Sequence, residues 1–498
     1  MTEGISLAWG IGLLFLFVGC VPWTIPTPAV TTDSTPTLMP TDLSTASPEP
    51  SQTPAPLLTY APSPTATFTQ TPIRPSNIEG VIIEQISAAA LNQIAQVGTH
   101  WVRSHNAVSW AAVEPTEGVR NWATQANLEQ ELQDIDAKGM QTILSVRVTP
   151  SWAQRVTGYS CGPIKPEKLE AFAKFMQDLV ARYRVPPYNV KYWEIWNEPD
   201  IDYHLVGPTS DWGCWGDQND PYYGGGYYAQ MLKLVYPQIK AADPQSQVLV
   251  GGLVLDCDPI NPPVGKDCKP AKFLEGILRN NGGPYFDGVS FHAYDYYSGT
   301  IGQYGNANWH SAWNTTGPVM GAKVAYLRRL LGQYGQSDKF LMNTETALLC
   351  GTSGEEPPCQ TKDFANTKAY YLAQSYASAL AADLDANLWY SMLGWRASGL
   401  LNPGDLAPLP AFEAYRFVTK ELHKARFIRR LQEYPGVMGY EFERDGRRIW
   451  ALWSLDGNSH PVTLPSAPLA AWDALGNSVS PAASLTIDLK PLYPEWKP

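Results

Sequence analysis

Short apolar runs alternate with amphipathic stretches from residue 76 onwards, and this alternation is the main structural signal in the chain. Runs of β-branched and aromatic residues are typical of buried strands, whereas the segments 169–183 and 228–242 carry the periodicity of helices. Eight strands are predicted, at residues 80–83, 100–104, 142–148, 190–196, 247–252, 287–294, 339–345 and 386–393.

Eight repeats of strand and helix predict an α/β fold, a parallel sheet closed into a (β/α)8 TIM barrel over residues 76–425. An open doubly wound sheet is the alternative, and it is disfavoured because no Gly-rich nucleotide-binding loop follows the first strand. Residues 426–498 change to short runs separated by turns such as Asp456-Gly457-Asn458. This pattern predicts a small antiparallel, β-sandwich-like accessory domain that packs against the barrel.

The N-terminus has the pattern of a targeting segment, because residues 5–19 are apolar and Cys20 follows them. The run is shorter than the roughly 20 residues of a bilayer span and has the length of a signal-peptide core. Val18-Gly19-Cys20 resembles the end of a bacterial lipobox, in which the cysteine is lipidated after cleavage. We expect residues 1–20 to be a lipoprotein-type signal segment, with a transmembrane anchor as the alternative, and the remaining chain to be tethered to the outer face of a bacterial membrane or secreted.

Residues 21–75 are rich in Thr, Pro and Ser and contain few charges. Such a segment cannot bury enough apolar surface to fold, and its prolines keep it extended. We therefore expect a disordered linker between the membrane and the folded domains.

Six cysteines remain beyond Cys20, an even number that predicts disulfides in an exported chain. Sequence alone allows fifteen pairings. The short separations favour Cys257–Cys268 and Cys350–Cys359, which leaves Cys161 with Cys214. A zinc site is disfavoured because no CxxC pair or histidine cluster accompanies these residues.

The amino-acid composition bears on the kinds of partner that the protein can bind. The net charge of −11 argues against a nucleic-acid partner, whose phosphates need a basic face. The 18 Trp and 26 Tyr residues serve either core packing or flat platforms for sugar rings. The composition alone does not decide between these two roles of the aromatic residues.

Reactive groups of such barrels lie at the C-terminal ends of strands. Glu198 follows the fourth predicted strand and Glu345 ends the seventh, so both carboxylates can face one cleft across the barrel mouth. A lone glutamate there is usually a structural ion-pair partner. Two on opposite strands indicate glycoside hydrolysis, in which one carboxyl protonates the leaving oxygen and the other attacks the anomeric carbon.

Residues 80–425 resemble clan A of the glycoside hydrolases, nearest to family 39 and also similar to family 5. The Asn-Glu-Pro at 197–199 matches the acid/base motif of that clan, and Thr344-Glu345 matches its nucleophile. The resemblance implies a retaining enzyme that cleaves β-glycosidic bonds of an extracellular polysaccharide or oligosaccharide, with carboxyl groups about 5–5.5 Å apart. With this function we expect a carbohydrate partner, no cofactor, no metal and a monomer. A tethered, non-catalytic carbohydrate-binding protein and a clan A arabinofuranosidase are the alternatives.

The same resemblance assigns the surrounding residues. His292 and Tyr294 match a His-x-Tyr pair beside the nucleophile, and Arg103 matches an arginine near it. Tyr294 and Arg103 would keep Glu345 ionised. Glu198 has no cationic neighbour in the sequence.

Three more residues are candidates for substrate binding. Asn197 can bond a sugar 2-hydroxyl, provided that the chain turns so that Asn197 and Glu198 both face the cleft. Trp152 and Trp395 are candidate stacking platforms.

Other acidic residues are expected to be structural. Glu194, four residues before Glu198, is predicted to form a buried ion pair, and Glu114 to shape a loop. Asp211, Asp217 and Asp220 lie in the long segment 201–227 without the spacing of a calcium loop. That segment and residues 296–338 decide whether the cleft is open or closed.

Overall fold

The structure, a computed structural model, describes residues 77–83, 88–104, 106–311 and 317–497. The predicted signal segment, Cys20 and the linker lie outside these residues. None of the helices in the described ranges combines the length and apolarity needed to cross a membrane.

Eight parallel strands in the described part of the chain close into a barrel, as the sequence predicts. Each strand pairs with the next, and the eighth closes the barrel on the first. The strands are β1 (Glu79–Ile83), β2 (Trp101–Ser104), β3 (Gln141–Arg147), β4 (Tyr192–Asn197), β5 (Gln247–Leu253), β6 (Gly288–Tyr297), β7 (Phe340–Leu349) and β8 (Ala386–Trp389). Two-residue strands at Val108–Ser109 and Tyr304–Gly305 pair with the ends of β3 and β6.

Helices cover the outside of the barrel. They are α1 (Ala88–Gln96), α2 (Trp110–Val113), α3 (Ala126–Asp136), α4 (Leu169–Tyr183), α5 (Gly225–Ala242), α6 (Phe273–Arg279), α7 (Met320–Gln333), α8 (Lys362–Ala381) and α9 (Pro410–Glu421). The eighth strand ends at Trp389, although the apolar pattern predicts strand to residue 393. Met392 is fully buried in the loop that follows. The apolar residue at this position therefore reflects burial in a loop and does not indicate a strand.

The barrel interior is layered because residues i and i+2 of a strand face the same side. The lower layer is apolar and includes Trp101 and Ile143. Two residues further along the same strands come Arg103 and Ser145, which bond to Glu194 inside the barrel. Polar side chains thus replace the apolar core on the side where the strands end, below the candidate site.

Three disulfides confirm the predicted pairing. Cys161–Cys214 joins the loops that follow β3 and β4. Cys257–Cys268 closes the loop after β5, and Cys350–Cys359 closes the loop after β7. All three bridges restrain loops at the C-terminal ends of the strands.

An antiparallel sheet follows the barrel. The strands of this region are β9 (Arg426–Leu431), β10 (Val437–Arg444), β11 (Arg447–Ser454), β12 (His460–Thr463), β13 (Ala470–Asp473), β14 (Ser478–Val479), β15 (Ser484–Ile487) and β16 (Leu492–Trp496). Six of these strands in the described residues form the sheet, in the order β9-β10-β11-β16-β13-β14, and β12 pairs with β15 in a separate two-stranded sheet.

One side of this sheet shares the hydrophobic core of the barrel, through residues such as Phe442 and Trp453. Tyr493 donates to the carbonyl of Ala373 in α8 at 3.1 Å. A second, smaller core lies between the six-stranded sheet and the two-stranded sheet of β12 and β15. These contacts make the C-terminal domain a packing partner of the barrel helices.

Candidate active site

Glu198 and Glu345 lie side by side at the mouth of the barrel. Glu198 follows the end of β4, and Glu345 lies in β7 directly opposite His292 of β6. One carboxylate oxygen of each glutamate and a ring nitrogen of His292 lie within 4.8 Å of one another. The two carboxyl groups therefore face one small volume.

The backbone at the end of β4 turns, as the sequence requires. Trp196 has a left-handed φ of 75° and Glu198 one of 53°. By strict alternation with Glu194, Trp196 would point into the barrel, but its ring packs edge-on against Phe172 and Trp215 outside it. The turn leaves Asn197 facing inward, where its Oδ1 accepts a hydrogen bond from Arg103.

Glu345 is held as a carboxylate. Its Oε1 accepts from Arg103 Nη1 at 2.7 Å, and its Oε2 accepts from the Tyr294 hydroxyl. Burial alone raises the pKa of Glu345, but the charges of His292 and Arg103 and the hydrogen bond from Tyr294 together lower it below its ordinary value. Arg103 and Tyr294 thus lie where the sequence predicts them.

Arg103 also contacts two residues of β4. Its Nη2 donates to Glu194 Oε2 at 2.7 Å and to Asn197 Oδ1 at 2.6 Å. Glu194 is fully buried and accepts further from Ser145 and Ser290, so it is the structural ion-pair partner that the sequence predicts. One guanidinium therefore positions β2, β4 and β7 relative to each other.

His292 links the two candidate catalytic carboxylates. Its Nδ1 lies 2.9 Å from Glu198 Oε1 and 3.4 Å from Glu345 Oε2. Burial lowers the pKa of His292, but the two glutamates outweigh that effect and raise it. Glu198 thus has an ionisable basic neighbour, which β6 supplies rather than its own strand.

Gly252 is a site residue that sequence reasoning missed. A Cβ atom at this position in β5 would lie 2.1 Å from His292 Nε2. Glycine inside a strand often marks such a close approach, and the Gly-Gly at the end of β5 was the available signal.

The two predicted tryptophan platforms lie in different settings. Trp395 is 50% exposed, and its ring meets Tyr294 edge-on at 6.3 Å, next to the nucleophile candidate. Trp152 packs edge-on against Trp110 at 5.2 Å, and its indole donates to the carbonyl of Glu114. The described contacts bring Trp395, but not Trp152, to the carboxylates.

No protein-family model matches the chain, and no curated protein matches its sequence. Solved structures do match. A family 39 glycoside hydrolase from Bacteroides cellulosilyticus is 19% identical with a TM-score of 0.62, covering 85% of this chain and 81% of that one. A monomeric β-xylosidase from Caulobacter crescentus is 15% identical with a TM-score of 0.52, over 86% and 97%. An α-L-arabinofuranosidase from Thermotoga maritima is 13% identical with a TM-score of 0.53, over 86% and 98%.

The chain has the fold of clan A glycoside hydrolases. At these identities the likeness concerns the fold, and it agrees with the clan to which the sequence motifs point.

A polar cavity of about 180 Å³ opens at the ends of β2 and β3. It is lined by Arg147 and Asp211, whose side chains form an ion pair at 3.0 Å. Burial lowers the pKa of Arg147, and the carboxylate of Glu345 is close enough to act against that shift. The cavity therefore lies beside the candidate site, and Asp211 serves as an ion-pair partner there.

Glu198, His292 and Glu345 are also the group in the described residues whose ligand atoms lie close enough to approach one metal ion. The oxygens of Glu345 already accept hydrogen bonds from Arg103 and Tyr294. A cation would have to compete with the guanidinium, so this donor set suits a carboxylate pair better than a metal centre.

Proposed function

We propose that the protein is a retaining glycoside hydrolase that cleaves β-glycosidic bonds of an extracellular polysaccharide or oligosaccharide. The observation that carries the proposal is the approach of a Glu198 oxygen to within 4.8 Å of a Glu345 oxygen. Carboxyl groups lie about 5–5.5 Å apart in retaining glycosidases and about 6.5–9.5 Å apart in inverting ones, which need room for a water between them.

Glu345 is the proposed nucleophile because its lowered pKa keeps it ionised. Its carboxylate attacks the anomeric carbon while Glu198, the less buried of the two, donates a proton to the leaving oxygen. The glycosidic bond breaks, and the sugar remains as an ester on Glu345. Arg103 and Tyr294 hold the attacking carboxylate in position.

A water molecule completes the reaction. Glu198, now a carboxylate, takes a proton from the water as its oxygen attacks the anomeric carbon, and Glu345 leaves as a carboxylate. Two displacements at one carbon retain its configuration. The proton returns to Glu198, so the enzyme is ready for another cycle.

Two neighbours are proposed to hold the sugar. Asn197 Oδ1 is occupied by Arg103, so its amide nitrogen is the group left to donate to the sugar 2-hydroxyl. The exposed ring of Trp395 offers a flat apolar face beside Tyr294.

The roles can be tested with two variants on a panel of aryl β-glycosides, with an aryl α-L-arabinofuranoside included. Glu345→Gly should be nearly inactive and rescued by azide, which gives a glycosyl azide of inverted configuration. Glu198→Ala should lose about 10²–10⁴-fold on poor leaving groups but little on very good ones, which need no proton. With this variant, azide should give the retained product.

Glu355→Ala is the matched control, because Glu355 is an exposed glutamate in the loop after β7. It should behave like the wild type. Inverted configuration of the wild-type product by NMR would contradict the retaining mechanism. Preferred cleavage of the arabinofuranoside would redirect the substrate assignment.

A further inference from the structure

An arginine lies between two exposed aromatic rings at the rim of the barrel. Trp395 is 50% exposed and Tyr296 is 42% exposed. The guanidinium carbon of Arg396 lies 5.4 Å from the centroid of each ring. We call Tyr296, Trp395 and Arg396 the rim platform.

The rim platform borders both candidate catalytic carboxylates. Trp395 meets the ring of Tyr294, whose hydroxyl bonds to Glu345. Burial raises the pKa of Tyr296, and the carboxylate of Glu198 is near enough to add to that rise. A sugar ring lying on the platform would therefore be adjacent to the bond that is cleaved.

The charge of Arg396 is not compensated within the described residues. None of the carboxylates there forms a salt bridge with it, and its buried Nε has no hydrogen-bond partner in the same part of the chain. Two arginines at the same end of the barrel, Arg103 and Arg147, differ from Arg396 in this respect. Arg103 pairs with Glu194 and Glu345, and Arg147 pairs with Asp211. A partly desolvated guanidinium beside a cleft can obtain a charged partner from a ligand.

The loop that carries Trp395 and Arg396 is fixed in place, and Tyr296 belongs to β6. Lys368 of α8 donates to the carbonyls of Ala397 and Gly399 at 2.8 and 2.7 Å. The carbonyl of Arg396 accepts from the backbone of Cys350, a disulfide residue, at 3.1 Å. Because the loop is anchored on both sides, little ordering is needed when a ligand binds.

We propose that the rim platform is a subsite for a sugar that carries a carboxylate, a uronic acid residue of the glycan. Arg396 would bond the carboxylate, since the guanidinium fork matches its two oxygens, while Trp395 and Tyr296 contact the sugar ring. This inference rests on the proposed glycosidase function and narrows its substrate to acidic glycans.

Matched pairs of oligosaccharides test the subsite: each neutral glycan is compared with its uronic-acid-bearing and its sulfated counterpart. The wild-type chain should show the highest kcat/KM on the uronic acid form. Arg396→Gln should lower the ratio of acidic to neutral kcat/KM by about 10- to 100-fold, the effect of losing charge-assisted hydrogen bonds. In Arg396→Lys, the ratio of acidic to neutral kcat/KM should lie between those of the wild type and Arg396→Gln.

Arg329→Gln is the matched control, because Arg329 of α7 also stacks on a tyrosine, at 5.9 Å from the ring of Tyr326. It should leave the ratio unchanged. An equal loss on neutral and acidic glycans in Arg396→Gln would show a merely structural role and overturn the subsite. A wild-type preference for the neutral or the sulfated glycan would also overturn the subsite.

Calorimetric titration of the Glu345→Gln chain separates this inference from the proposed function. The uronic acid oligosaccharide should bind more tightly than its neutral counterpart, and Arg396→Gln in the same background should remove the difference. Tighter acidic binding without hydrolysis by the wild type would contradict the glycosidase and keep the subsite. Hydrolysis by the wild type, with equal binding of the acidic and the neutral oligosaccharide, would support the glycosidase and overturn the subsite.

Discussion

The two glutamates at the barrel mouth are the same residue type in different surroundings. Glu345 has a guanidinium and a phenol on its two oxygens, and these keep it ionised. Glu198 shares the Nδ1 of His292 and is more open to the cleft. Environment, rather than residue type, thus separates the proposed nucleophile from the proposed acid.

At the residue scale, Gly252→Ala tests how closely this geometry is packed. The new Cβ atom would lie 2.1 Å from His292 Nε2, so His292 must shift from its present position beside both carboxylates. We expect kcat/KM to fall by about a hundredfold or more, as misplacement near a reacting centre does. Kinetics on the best substrate of the panel would measure it.

Gly321→Ala is its control, because a Cβ atom at this position of α7 meets nothing within 4 Å. That variant should keep full activity and gain a little stability, since alanine favours the helix by up to about 1 kcal/mol. Wild-type activity in Gly252→Ala would show that His292 does not need its present position.

At the element scale, a buried carboxylate ties the end of β4 to the end of β5. Asp200 is fully buried and accepts from the backbone nitrogens of Val254 and Leu255 at 2.9 and 2.8 Å. Burial raises the pKa of Asp200 to about 7, and the carboxylates of Glu198 and Asp256 add to the rise. Lys323 lies nearby and donates to the carbonyl of Val254 at 2.6 Å.

This raised pKa predicts a pH effect on stability. The unfolded aspartate has a pKa of about 3.9. Between that value and about 7 the folded chain holds a proton that the unfolded chain has lost, so the free energy of unfolding falls as pH rises through this range. Asp200→Asn cannot lose the proton, and its stability should therefore fall less between pH 5 and pH 8.

Denaturant unfolding at both pH values would measure the effect, with the exposed Asp445→Asn as control. Asp295 and Glu79, whose pKa values burial also raises to about 7, should leave part of the pH dependence in place. The same pH dependence in Asp200→Asn and in the wild type would contradict the assignment.

At the scale of the whole molecule, three disulfides in the described part of the chain fit a protein that folds outside the cytoplasm. We propose that Cys20 is acylated and that residues 21–75 space the barrel from the membrane. Mass spectrometry of the native N-terminus should find a lipid-modified Cys20, and Cys20→Ser should shift the protein out of the membrane fraction. An unmodified chain that still begins at Met1 would favour a transmembrane anchor.

The sequence by itself determined the barrel fold and the strand ends at which the candidate catalytic residues lie. Strand and helix periodicities are local, so eight strand–helix repeats were visible without any long-range contact. Glu198 and Glu345 stand at strand ends, and His292 and Tyr294 share one face of β6 because side chains alternate along a strand. Spacing also indicated the disulfides, although it left fifteen pairings open.

Only the tertiary structure decided what surrounds each of these residues. Arg103 reaches Glu345 across 242 residues of chain, and His292 reaches Glu198 across 94. The tight fit of Gly252, the exposure of Trp395 and the uncompensated charge of Arg396 likewise depend on neighbours from other strands and loops. Such contacts follow from barrel closure and strand register, which periodicity along the chain does not record.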